Sequence, residues 1–266
     1  MDKLILGRYI PGDSFVHRLD PRSKLLAMLV FLVVVFWANN VVTNLIMLVF
    51  TGVAIFLSQI PLRFFVNGVK PMIGIILFTT MFQILFTQQG TPLFSIWFIR
   101  VTDFGLSQAL LIFMRFMLII LMSTILTLTT MPLSLADAVE SLLKPLRVIK
   151  VPAHEIGLML SLSLRFVPTL MDDTTRIMNA QRARGVDFGE GNLMQKVKTI
   201  IPILIPLFAS SFKRADALAT AMESRGYQGG DGRTKFRQLS WQSTDTLTLL
   251  IFVLLGCILF FLKTPS

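Results

Sequence analysis

The sequence predicts an all-α membrane protein with about five transmembrane helices and a long insertion of amphipathic helices between the fourth and fifth spans. Three observations carry that prediction. Of 266 residues, 54% are hydrophobic and only 15% charged, well below the roughly 25% charge of soluble domains. Long uncharged runs recur along the chain. Fifteen of the 25 Lys and Arg, and ten of the 15 acids, gather between Met131 and Ser240. The net charge of +10 then reads as basic loops on one side of a membrane, with no nucleic-acid partner implied.

The N-terminal stretch places Lys3, Arg8, Arg18, Arg22 and Lys24 ahead of the first apolar run. No small-residue cleavage site follows a short hydrophobic core, so a cleaved signal peptide is not expected. Leu25 to Ile60 carries no charge. As one helix it would be about 54 Å long against a hydrocarbon core of about 30 Å, so it turns back. Asn39 and Asn40, after Trp37, mark the turn between a span of Asp20 to Trp37 and a second of Val41 to Ser58.

Pro61, Arg63 and Lys70 form a short positive loop, and Pro71 opens a third span ending at Phe86. Gln88 to Asp103 reads as a polar-tipped loop. The fourth span, Phe104 to Leu128, is interrupted only by Arg115, a candidate intramembrane polar site because a cation in a span faces a partner, a cavity or the interface. Thr246 to Leu262 is the fifth. The chain divides into an N-terminal cytoplasmic segment with four spans (1–130), a cytoplasmic helical region (131–240), and the last span with its tail (241–266).

Lys and Arg are abundant in the N-terminus, in the Pro61 to Lys70 loop and in Met131 to Ser240, and sparse elsewhere. The expectation is a multi-pass cell-membrane protein with its N-terminus and residues 131–240 cytoplasmic and its C-terminus outside.

The region 131–240 is too long for a structureless loop. Pro132 to Arg147 places Leu135, Val139, Leu142 and Leu146 on one helical face and ends near Pro145. Pro152 opens a longer helix to Ala183, with a kink or break expected at Pro168, where proline removes an intrahelical hydrogen bond. Another runs from near Leu193 through Pro202 and Pro206 to Arg225. Its uncharged run, Thr199 to Phe212, is too short to span. The helices Pro132 to Arg147 and Pro152 to Pro168 are expected to lie along the membrane interface.

The two long helices end alike. Ala180-Gln181-Arg182-Ala183-Arg184-Gly185 and Ala221-Met222-Glu223-Ser224-Arg225-Gly226 both read A-x-x-[AS]-R-G, 41 residues apart. Either copy by itself is an ordinary helix stop: Gly accepts the left-handed conformation and a cation meets the negative end of the dipole. Two copies point further. A small residue beside Arg lets a helix tip enter a groove, where the guanidinium can fork onto a carboxylate.

On these motifs, the apolar spans and the helical insertion, nearly the whole chain resembles the T component, EcfT, of energy-coupling factor transporters, which take up vitamins and transition-metal ions in prokaryotes. The resemblance implies a non-catalytic coupling subunit joined to two ABC-type ATPase subunits and an interchangeable substrate-binding membrane S component. It further implies ATPase docking by Ala183, Arg184, Gly185, Ser224, Arg225 and Gly226. Ser224 departs from the family's Ala-Arg-Gly but stays small. No cofactor is expected in this chain, since ATP and Mg would be bound by the partner ATPases.

Other chemistries find little support. No G-x-x-x-x-G-K-[ST] phosphate loop occurs. Glu140, Glu155 and the pair Asp172-Asp173 adjoin no nucleophile or metal motif. His17, His154 and Cys257 have no metal-ligand or disulfide spacing. Gly226 to Gly232 follows no strand and reads as a return loop towards Trp241. The alternative, a stand-alone secondary transporter of a small solute, would call for broken helices and symmetric halves converging on a midplane site.

Overall fold

A computed structural model describes residues 9–87, 89–96, 99–149, 152–186, 188, 193–229 and 239–263. Lys3, Arg8, Gln88 and the stretch 230–232 of the glycine-rich loop lie outside the described residues. In chain order the helices are α1 (Phe15–Arg18), α2 (Pro21–Val34), α3 (Val41–Ser58), α4 (Leu62–Val69) and α5 (Ile73–Phe86). A hairpin of β1 (Pro92–Ile96) and β2 (Ile99–Thr102) precedes α6 (Asp103–Thr129), α7 (Pro132–Leu143), α8 (Ala153–Ala183), α9 (Leu193–Ser224) and α10 (Ser243–Leu262). The chain forms two compact units, Met1–Ala138 with Leu239–Ser266, and Val139–Gln238.

In the first unit α3, α6 and α10 are long and apolar enough to cross a membrane, and α4 with α5 makes a fourth span if the pair is taken together across its 57° bend. The first predicted span is built from two pieces. α2 by itself has 14 residues, and with the 3₁₀ turn Val35–Trp37 it reaches about 27 Å. The third span differs from expectation. Pro71 does not open it; the chain is already helical from Leu62, and Pro71, lacking an N–H, sits in the break before Ile73. The Gln88 to Asp103 segment is likewise more than a loop, because Ile96, Ile99, Val101 and Thr102 favour extended backbone and the two strands pair antiparallel.

The bundle closes where α2 meets α10. Phe31 is wholly buried against Phe252, edge to face at 6.4 Å, and Phe50 meets the same ring at 5.0 Å. Gly256 permits the approach, since a Cβ there would lie 3.0 Å from Val34 Cγ2. Gly68 does the same for α4 on α6, against Thr124.

Both ends of the α2–α10 pair are tied by polar groups. At one end Asp245, 1% exposed, accepts from the Asp20 N–H at 2.8 Å and the Ser23 hydroxyl at 2.7 Å through Oδ1. Its Oδ2 accepts from the Gln242 N–H at 2.8 Å. Asp20 in turn caps α2 and pairs with Arg22, which also donates to Leu239 O and lies over Trp241. At the other end Asn40 Nδ2 donates to Leu262 O at 3.0 Å. The two helices therefore run parallel.

The end of α6 joins the first of these junctions, because Lys24 Nζ donates to Thr129 O at 3.1 Å and Thr130 Oγ1 at 3.4 Å. The chain thus leaves the bundle after Thr130 and returns at Leu239 beside the same end of α2.

Asp245→Ala strands one buried amide, one hydroxyl and a helix-capping amide, and it is expected to cost about 3 kcal/mol. Asp245→Asn, which keeps one acceptor oxygen, is expected to cost less. Thermal unfolding in detergent, read by loss of helical circular dichroism, measures both.

Candidate functional site

The second unit is built on α8 and α9, which pack antiparallel. Gln181 Nε2 near the end of α8 donates to Pro202 O at 3.4 Å. Further along, Arg214 pairs with Asp173, and Leu162 and Phe166 face Leu218 and Met222 across a groove. Neither helix breaks at its prolines: α8 continues through Pro168 and α9 through Pro202 and Pro206. The break expected at Pro168 is absent, since one missing N–H in a helix of 31 residues forfeits a single hydrogen bond while packing against α9 holds both sides. α7 ends at Leu143, two residues before Pro145 as expected, and the backbone continues as a 3₁₀ helix from Lys144 to Ile149.

The two A-x-x-[AS]-R-G segments fold into the same turn. At the end of α8, Gly185 has φ +85°, its N–H donates to Arg182 O at 2.9 Å, and the Val186 N–H reaches back to Gln181 O at 3.1 Å. At the end of α9, Gly226 has φ +70°, its N–H donates to Glu223 O at 2.9 Å, and the Tyr227 N–H reaches Met222 O at 3.0 Å. Each is a Schellman closure that satisfies two carbonyls a helix end otherwise leaves open.

Ala183, Arg184, Gly185, Ser224, Arg225 and Gly226 are all exposed. Among the described residues neither the Arg184 nor the Arg225 guanidinium has a hydrogen bond or ion pair. Among the described residues nothing lies within 4 Å of a Cβ built on either glycine, so the backbone φ is what calls for glycine there. Because the helices are antiparallel, the tips stand at opposite ends of the pair, separated by about the 46 Å length of α8. Sequence reasoning stopped at the Arg-Gly pairs and missed Val186 and Tyr227, although an apolar or aromatic residue just after such a glycine is part of the same stop signal.

The other candidates have structural partners. Arg115 donates from Nη2 to Ala38 O at 3.3 Å and lies over the Phe36 ring at 5.2 Å, so it reaches the turn between α2 and α3. Asp173 is held by Arg214 and Glu140 lies 3.4 Å from His154. Among the described residues no group of His, Cys, Asp and Glu is arranged to hold a metal.

Long apolar helices interrupted by a helical insertion define a multi-pass membrane protein. Residues 12–236 match the cobalt transport protein family, CbiQ. The energy-coupling factor transporter transmembrane protein EcfT of Streptococcus equi subsp. equi is 76% identical over 266 residues, 100% of this chain and 99% of that protein. EcfT of Streptococcus thermophilus is 69% identical over 264 residues, 99% of this chain and 100% of its own. EcfT of Bacillus subtilis is 50% identical over 263 residues, 99% of both. The chain belongs to this family, the transmembrane components of energy-coupling factor transporters.

Gly185→Ala and Gly226→Ala each force a Cβ into the left-handed region and are expected to cost about 1 kcal/mol. The Asn variants, which tolerate that region better, are expected to cost less. Thermal unfolding of the purified variants ranks them, and equal stability of Ala and Gly forms would contradict the backbone argument.

Proposed function

We propose that this chain is the coupling subunit of an energy-coupling factor importer, hydrolysing nothing itself and transmitting the ATP-driven motion of two ATPase subunits to a substrate-binding membrane partner. The observation that carries this reading is the pair of exposed Arg-Gly turns, closed by the same hydrogen bonds, at opposite ends of one antiparallel helix pair. An antiparallel pair has a local two-fold axis across its middle, and that axis exchanges the two tips. Two related ATPase subunits facing each other across a two-fold axis would present two equivalent grooves in the same relation. Arg184 and Arg225, unpartnered among the described residues, would each fork onto a carboxylate in such a groove, while Ala183 and Ser224 keep the tip narrow.

A second surface fits the membrane partner. Ile200, Ile201, Leu204, Ile205, Phe208 and Phe212 are exposed along α9 at helical spacing, an apolar face that water alone would not leave open. A membrane-embedded partner covering it would feel any tilt of α9. The cargo of the importer would be a vitamin or another micronutrient chosen by that partner, with ATP and Mg held by the ATPases and no cofactor in this chain.

Parallel α2 and α10, with the end of α6 at the same junction, support an orientation in which the N-terminus and the 131–240 insertion share the cytoplasmic side and the C-terminus lies opposite. All the Lys- and Arg-rich segments then fall on one face.

The test is co-expression of the tagged chain with its ATPase and membrane partners, purification in mild detergent and uptake in liposomes. The wild type is expected to retain two ATPases and import substrate on ATP addition. Arg184→Ala and Arg225→Ala are each expected to lower ATPase retention or uptake at least tenfold, the loss of a charge-assisted pair. A chain that purifies alone and carries solute without ATPases would refute the assignment.

A further inference from the structure

The two tips share a fold but differ in what holds them. Tyr227, which closes the second tip through its N–H, also turns its hydroxyl to His154 Nε2 at 3.3 Å. His154, in the first turn of α8, faces Glu140 Oε1 from Nδ1 at 3.4 Å. Glu140 is 4% exposed and belongs to α7. The three side chains form a carboxylate–imidazole–phenol line from α7, across the start of α8, to the residue after Arg225-Gly226.

The line is chemically consistent. A neutral imidazole donates from one nitrogen and accepts at the other, so Nδ1–H directed at Glu140 leaves Nε2 to accept from the Tyr227 hydroxyl. The carboxylate thereby selects the tautomer and the ring orientation that receive Tyr227. Gly157, one turn after His154, makes room for it: a Cβ built there would overlap the Glu140 carboxylate. Gly157 is buried in the helix interior, where Ala would otherwise be favoured, so the fit of Glu140 accounts for the glycine.

The first tip is held otherwise. Among the described residues Gln181 reaches Pro202 O and Arg182 lies over Phe188 at 5.8 Å. Those ties stay within α8, α9 and the chain between them.

We infer that Glu140, His154 and Tyr227 are positioning residues that tie the Arg225 tip to α7, and that the two tips are mechanically unequal. α7 follows α6 after only Thr130 and Met131. A displacement received at Arg225 therefore has a side-chain route to α7 and onward through two residues to a membrane helix. A displacement at Arg184, at the other end of α8, has about 46 Å of helix to cross before it reaches His154 and α7. This rests on the docking role proposed above and assigns the tip with the shorter route into the membrane.

The test uses the complete transporter in liposomes and measures three quantities: ATPase retained on purification, ATP hydrolysed, and substrate imported per ATP. Tyr227→Phe, His154→Ala and Gly157→Ala are each expected to keep the ATPases bound within about twofold. Substrate imported per ATP is expected to fall roughly fivefold, the effect of losing about one hydrogen bond. Gly157→Ala breaks the line without deleting a polar group, and thermal unfolding of each variant in detergent separates loss of the line from the cost of overpacking at Glu140.

His154→Gln, whose amide can donate to Glu140 and accept from Tyr227, is expected to recover most of the coupling. Unchanged import per ATP in all three variants, with ATPases retained, overturns the positioning role alone. Outright loss of ATPases from Tyr227→Phe also overturns it, since the residue would then bind and not position. A wild-type chain that retains no ATPase overturns the docking reading itself, and this one with it.

Discussion

The membrane helices depend on one buried carboxylate, Asp245, meeting groups 225 and 222 residues away in sequence. Asp245 accepts from the Asp20 amide, the Ser23 hydroxyl and its own helix-capping amide. It thus satisfies two helix N-termini at once in a place where unsatisfied groups cost several kcal/mol. That junction makes α2 and α10 parallel neighbours. Because Lys24 on α2 also holds the end of α6, the insertion is compelled to leave and re-enter the bundle at a single end.

Within the insertion the governing fact is the backbone at two glycines. Gly185 and Gly226 take positive φ with open space around them, so both turns are set by local conformational preference. The arginines before them are left without partners among the described residues. Burial did not choose these side chains, which are exposed at both tips. Gly157 is the contrasting case, a glycine required by a neighbour's side chain, and its neighbour Glu140 leads back to the second tip.

Much of this was legible beforehand. Charge-free runs located α3, α6 and α10 within a few residues, because exclusion of charge from hydrocarbon acts on composition directly. The paired Arg-Gly stops were readable for a similar reason, since left-handed closure selects glycine locally. Less legible were the bend at Pro71 and the hairpin before α6. Proline is compatible with both a helix start and a break, and the short β-branched run competed with a polar loop reading. At Pro168 the helix does not break, because the penalty of one lost hydrogen bond is met by the packing of α8 on α9.

The amino-acid sequence by itself determined the membrane class, the long helices and the two matched tips, all consequences of local backbone preference or of solvent exclusion along a contiguous stretch. Tertiary structure alone decided which helix ends meet. No periodicity or spacing announces that Asp245 answers Asp20, that Arg115 reaches Ala38, or that residues 140, 154 and 227 form one line. Such contacts arise from three-dimensional closure between segments distant in the chain, where the pairing is selected by shape and hydrogen-bond geometry and leaves no regular mark in sequence.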